Sequence, residues 1–251
     1  MDLPHGLDRM DLTTWLGAAP LGIDAAAWVA ILLSLKIAGV ATVCALPPAI
    51  ALAYLLARRD FPGKVLVDGI VHLPLVMPPV VTGYLLLLAF GRRGPVGMLL
   101  HDLFGITLAF RWTGAALAAA IMGFPLMVRA IRLSFEAIDP RLEAASGTLG
   151  APPLATFFRV SLPLAVPGVL VGAVLAYAKA LGEFGATITF VSNIPGETRT
   201  IAAAIYTLTQ TPDGDSAALK LTMVSIALAL AALAASEILQ RRARLKLGLA
   251  G

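Results

Sequence analysis

Five stretches of this chain run for fifteen residues or more with almost no charge, and basic residues close them. Ile37 to Ala57 is uncharged and ends at Arg58-Arg59. Gly69 to Phe90 is uncharged and ends at Arg92-Arg93. Thr113 to Val128 follows Trp112 and is closed by Arg129 and Arg132, which can snorkel to an interface. Val160 to Ala178 continues through Lys179 and Glu183. Leu221 to Ser236 leads to Arg241-Arg242-Ala243-Arg244-Leu245-Lys246. A bilayer's hydrocarbon core, about 30 Å thick, takes roughly 20 apolar residues as a helix. The runs therefore predict an all-α integral membrane protein with five transmembrane helices, at about 28–57, 67–90, 112–132, 162–183 and 218–240.

Composition agrees. Apolar residues make up 59 % of the 251 and charged residues 14 %, whereas soluble domains carry about 25 % charged residues. Soluble, disordered and disulfide-stapled classes are excluded, the last because Cys44 stands alone. His5, His72 and His101 are scattered, so no metal site of the usual ligand spacing is expected. No phosphate-cradling Gly-x-x-x-x-Gly-Lys occurs, and no Ser/His or His-Glu-x-x-His arrangement falls in a span. No catalytic residue is expected, and no cofactor or nucleic acid bound by this chain.

Basic residues orient the bundle. Arg58, Arg59 and Lys64, then Arg129, Arg132, Arg141 and Arg159, then Arg241, Arg242, Arg244 and Lys246, fall on one side. Positive loops stay cytoplasmic, so the N-terminus is expected outside and the C-terminus in the cytoplasm. Arg92, Arg93 and Arg111 misfit in the outer 91–112 loop. Residues 1–27, with Asp2, Asp8, Asp11 and Asp24, read as an extracytoplasmic segment and not as a signal peptide. A single transmembrane domain then covers 28–245. Two segments lie between spans. The outer stretch 184–217 is too apolar at first for a free loop and is expected as a loop or a re-entrant dip. The inner stretch 133–161 has helical pattern in Leu133, Phe135, Ile138, Leu142, Ala145 and Leu149.

That inner stretch contains Glu143-Ala144-Ala145, then Gly150, nine residues, and Val160-Ser161-Leu162-Pro163. A short helix, a glycine break and a second helix make a projecting knob. Small alanines let it seat in a partner's cleft; the plainer reading is a surface hairpin without a partner. The pattern resembles the cytoplasmic Glu-Ala-Ala signature of ABC-importer permease subunits. The glutamate sits one position early relative to Gly150, and Gly147 stands where many relatives have a basic residue. The segment Tyr177 to Thr200, with Leu181-Gly182-Glu183 and Thr187-Ile188-Thr189-Phe190-Val191-Ser192-Asn193, closely resembles the molybdate-type permeases, as does His72 to Tyr84. Sulfate permeases share the Leu-Gly-Glu core.

The resemblance spans about residues 28–240 and implies the type I ABC importer permease fold in a bacterial inner membrane. It implies two copies forming the pathway, an extracytoplasmic molybdate-binding protein, surrounding lipid, and two ATPase subunits carrying ATP and Mg. Those ATPases would seat on Glu143, Ala144, Ala145, Gly150, Leu162 and Pro163. A sulfate or tungstate permease is the alternative within the class. A proton-coupled secondary anion transporter with Lys179 and Glu183 as relay is the alternative outside it.

Lys179 and Glu183 share a helix face at i, i+4. A charge at membrane depth is costly unless paired or wet. The two either line a wet anion path or form a structural pair. Thr82, Thr187, Thr189, Ser192 and Asn193 offer weak donors suited to loose passage of an oxyanion, or to helix–helix hydrogen bonds. Pro47-Pro48, Pro78-Pro79 and Pro125 lie within the expected spans, as hinges or static kinks.

Overall fold

The computed structural model describes residues 24–246, so the expectation for residues 1–23 lies outside the described residues. Regular structure among the described residues is helical throughout. The first helix, α1 (Ala25–Arg58), begins where the Asp24 carboxylate accepts a 2.7 Å hydrogen bond from the Ala27 N–H, satisfying one of the free donors of the first turn. At 34 residues it extends about 51 Å, longer than a hydrocarbon core is thick.

Three helices make the centre: α1, α5 (Trp112–Glu136) and α8 (Leu162–Leu181). Their contact faces are built of small residues. Ala38, Ala41, Ala45, Ala49 and Ala53 are buried on α1, Ala115, Ala118 and Ala119 on α5, and Gly172, Ala176 and Ala180 on α8. Lipid tails are as apolar as leucine, so helices in a bilayer gain by approaching closely, and small side chains permit it. Gly168 lies against Ser134 and Gly123 against Ala176, so α5 and α8 run antiparallel. Lys36, three turns into α1, lies over the ring of Trp112 at the start of α5, and Arg58 at the end of α1 meets Ile138 just past the end of α5. Helices α1 and α5 therefore run parallel.

The run expected as one span over 67–90 is not one continuous helix. The run is split into α2 (Lys64–Val76) and α3 (Pro79–Phe90), whose axes are bent by 114°. Met77, preceding Pro78, is extended, as the clash with a following proline ring favours. Pro79 then restarts a helix at its first position, where a missing N–H is harmless. The inner face of α2 is tied to α5 by Asp68, 3.0 Å from Arg132, which also pairs with Glu136 at 2.7 Å. In the preceding turn, the hydrogen bond from Lys64 holds the Asp60 carboxyl below its ordinary value.

The stretches between spans are also structured. The expected 91–112 loop contains α4 (Pro95–Phe104). Residues 133–161 contain α6 (Pro140–Thr148), the short α7 (Pro153–Thr156) and a π-helical turn, Phe157–Ser161. Residues 184–217 contain α9 (Gly185–Val191) and α10 (Ile201–Thr209), ahead of α11 (Asp215–Lys246). Ile31, Ile201, Ala204 and Leu221 join α1, α10 and α11 in a separate apolar cluster. The Ser34 hydroxyl accepts the Ile201 N–H at 2.8 Å there.

Candidate functional site

Two places gather the candidate residues. The first is the hairpin of α6, α7 and the π turn at the basic end of the bundle. Asp139 caps α6 through the Arg141 N–H at 2.9 Å, and Pro140 opens it. The helix stops at Gly150, whose φ of +83° is left-handed; this is glycine's usual role just past a helix end. Pro152 and Pro153 then turn the chain into α7. Ser146 and Thr156 hydroxyls, 3.0 Å apart, clasp the two arms.

Ala144, Ala145 and Gly150 face outward from this hairpin. Around them Leu142, Leu149, Leu154 and Phe158 are exposed, Leu149 to 88 %. Glu143 points the other way. Its Oε1 accepts from Arg58 Nε at 3.1 Å and from the Ser161 hydroxyl at 2.7 Å. Arg58 also donates to the Ile138 carbonyl at 3.1 Å. Leu162 and Pro163 begin α8 and are half-buried; Leu162 packs on the cluster of Met127, Ile131 and Phe135. The six residues of the signature thus divide into an outward set and an inward set. Arg58 was not among the expected site residues, because its partner is 85 positions away. Beside the hairpin, Ser134, Ile138, Leu142, Leu164 and Pro167 line a cleft of about 400 Å³.

The second place is the elbow between α8 and α9. Lys179 Nζ lies 2.8 Å from Glu183 Oε2, and the Glu183 side chain is 1 % exposed. The other oxygen, Oε1, accepts the Ala186 N–H at 2.9 Å. Glu183 thus caps α9 while neutralising Lys179, and an anion suits a helix N-terminus. Thr187 donates to the Phe184 carbonyl at 2.9 Å and Thr189 to the Gly185 carbonyl at 2.9 Å. Both hydroxyls are used within α9. Ser192 is exposed at a left-handed φ of 65°. Asn193 donates to Thr207 at 2.7 Å and accepts from Arg199 at 2.9 Å, a bond to an arginine that the sequence reading passed over. Thr82 is buried on α3, and its hydroxyl has no partner among the described residues. Next to it, Gly83 packs on the α9 backbone at Ala186.

A bundle of small-faced apolar helices, carrying an outward hairpin at its basic end, is the architecture of an ABC-importer permease subunit. The structure is similar to the crystal structure of a bacterial ABC transporter involved in the import of the acidic polysaccharide alginate. The TM-score is 0.69 at 20 % identity, covering 93 % of this chain and 83 % of that one. The family described as "binding-protein-dependent transport system inner membrane component" matches residues 49–245, and this chain belongs to it. Over 221 residues it is 60 % identical to the molybdenum transport system permease protein ModB of Escherichia coli (strain K12), covering 88 % of this chain and 96 % of that one. It is 53 % identical over 219 residues to the ModB of Haemophilus influenzae, covering 87 % and 96 %. Identity to the sulfate transport system permease protein CysW of Synechococcus elongatus is 38 % over 180 residues, covering 70 % and 63 %.

Proposed function

We infer that this chain is the membrane-spanning subunit of an ATP-driven importer that carries molybdate into the cytoplasm by alternating access. The observation that carries the cargo is the 60 % identity extending over 96 % of a molybdenum permease. The lower and shorter likeness to a sulfate permease makes sulfate the alternative. The working unit is two copies of this chain in the bacterial inner membrane. Two ATPase subunits bearing ATP and Mg sit against the hairpins, and an extracytoplasmic molybdate-binding protein docks on the opposite end. In this reading the basic end is cytoplasmic, and the exposed Ala144, Ala145, Leu149 and Leu154 form the seat for the ATPase.

The energetics call for an external source. Moving a dianion into a negative-inside cell costs about 2.3 kcal/mol per charge for each 100 mV. ATP closes the ATPase pair, the hairpins approach, and the outer ends of the helices part to take the anion from its binding protein. Hydrolysis returns the inward-facing state. The passage needs weak donors, because a tight site would trap the cargo. Among the candidates, the free Thr82 hydroxyl and the partly exposed Lys179 suit that role best. Glu183, with both oxygens engaged inside the protein, suits a brace better than the relay of a proton-coupled carrier.

The test is co-purification of the tagged chain from native membranes, followed by ATPase assays with molybdate-loaded and sulfate-loaded binding proteins. Recovery of an ATPase stimulated by the molybdate-loaded protein is expected. Stimulation by the sulfate-loaded protein alone would change the cargo. Recovery of the chain alone, without hydrolysis, would overturn the importer reading.

A further inference from the structure

Arg58-Arg59 reads in sequence as a topological pair ending a span. In the structure the two arginines part. Arg59 is exposed at the extended residue that follows α1. Arg58 turns back into the protein, and its side chain is only 13 % exposed. Its Nε donates to Glu143 on α6 and its Nη2 to the Ile138 carbonyl, just past the end of α5. The same Glu143 oxygen takes the Ser161 hydroxyl from the π turn that leads into α8. One guanidinium and one carboxylate thus join the hairpin to all three central helices.

The connectivity gives Arg58 its importance. The hairpin is continuous in chain with α5 on one side and α8 on the other. It has no chain connection to α1, which Arg58 supplies across 85 positions of sequence. A planar, forked guanidinium can hold two acceptors at once in fixed geometry, where a lysine ammonium acts as a point charge. Removing one partner of a shielded ion pair also strands the other charge. The π turn adds a second sign of function, because such turns are frequent at working sites in helices. Tyr54 of α1 stacks edge-on against Phe157 of this turn, with ring centroids 4.8 Å apart, so α1 also meets the hairpin's exit through an aromatic contact that can yield without breaking a charge pair.

We propose that Arg58 is a positioning residue of the transport cycle: by clamping Glu143 it makes α1 move with the docking hairpin. This rests on the importer reading above. The clamp transmits displacement from the hairpin to the pathway helices and does not itself touch the ATPase or the cargo.

The test uses the complete complex of this chain with its co-purifying ATPase in lipid nanodiscs, with molybdate-loaded binding protein as the stimulus. For Arg58→Gln, ATPase recovery and unstimulated hydrolysis should stay within about twofold of wild type, while stimulation falls about tenfold, within the usual range of coupling between sites. Arg58→Lys should be intermediate. The exchange Arg58→Glu with Glu143→Arg should recover stimulation relative to either single change. Stimulation unaltered in Arg58→Gln would overturn the proposal. So would loss of the ATPase from the purified complex, because Arg58 would then act in docking. Should Arg58→Gln fail to accumulate in membranes, Ser161→Ala decides. It removes one hydrogen bond to the same oxygen and no charge; reduced stimulation supports the clamp and unchanged stimulation overturns it. Absence of stimulation in the wild-type complex would instead count against the importer reading.

Discussion

Glu183 places one carboxylate oxygen on Lys179 and the other on the Ala186 N–H. Glu183→Ala leaves the partly exposed Lys179 ammonium unpaired and an N–H uncapped together, a loss below the about 3–5 kcal/mol of breaking a fully buried pair. Glu183→Gln keeps an amide oxygen able to cap α9, so it should destabilise less. Thermal unfolding of the detergent-solubilised protein should rank wild type above Glu183→Gln and Glu183→Gln above Glu183→Ala. Equal losses for the two variants would remove the cap from the account. The i, i+4 spacing of Lys179 and Glu183 was legible in the sequence. The cap was not, because the sequence around residue 184 offers no recognisable helix start: Phe184 occupies the N-cap position, and it cannot accept with its side chain. The Arg58–Glu143 bond was hidden for a different reason. Local spacing reveals partners within a turn or two, and these two residues meet only once α1 and α5 lie parallel.

Two Pro-Pro pairs behave differently at the scale of the helix. Pro47-Pro48 sits inside α1, which continues unbroken, while Pro78-Pro79 separates α2 from α3. Around the first pair, Ala45, Ala49 and Ala53 are buried in the central core, and neighbouring helices hold the axis in line. Helix α2 has no buried residue, so nothing keeps it collinear with α3. The prolines were legible; the difference in packing that decides their effect was not. What does hold α3 is its approach to α9. A Cβ on Gly83 would stand 2.5 Å from the Ala186 carbonyl oxygen and 2.9 Å from its Cα. Backbone cannot rotate away as a side chain can, so Gly83→Val should separate the helices, at the 1–3 kcal/mol typical of overpacking or about that much. Gly69 on α2 has nothing within 4 Å of a Cβ, and Gly69→Ala should be neutral or stabilising by up to about 1 kcal/mol through helix propensity. Unfolding midpoints of the two variants should move in opposite senses or, at the least, only the first should fall.

The whole molecule is ordered by two boundaries. At one, Lys36 lies 3.6 Å from the centroid of the Trp112 ring, an aromatic–cation pair of the kind that settles at a membrane interface. At the other lies Arg58, 22 residues further along α1 and hence about 33 Å away, close to the thickness of a hydrocarbon core. Because α1 and α5 run parallel, the chain from Arg59 to Arg111 must return from the second boundary to the first. Only the broken pair α2–α3 and the short α4 are there to do so; by length and composition the described helices allow four crossings, or five with the pair counted as one. Five crossings would place Ala25 and Lys246 on opposite sides. The apolar runs made the helices readable from the sequence, because each long run became helix; the orientation remains an expectation from the basic ends, with Arg92, Arg93 and Arg111 as its misfit. All three are exposed beside α4 and the start of α5. Cysteine labelling tests the arrangement directly. In a Cys44→Ser background, Leu149→Cys on the hairpin and Pro195→Cys beyond α9 are treated with a membrane-impermeant maleimide. Pro195→Cys should react in intact spheroplasts and Leu149→Cys only in inverted vesicles. The opposite pattern would reverse the orientation inferred from the basic residues. Labelling of both from one side would mean that α8 does not cross the membrane, and the five-span count would fall with it.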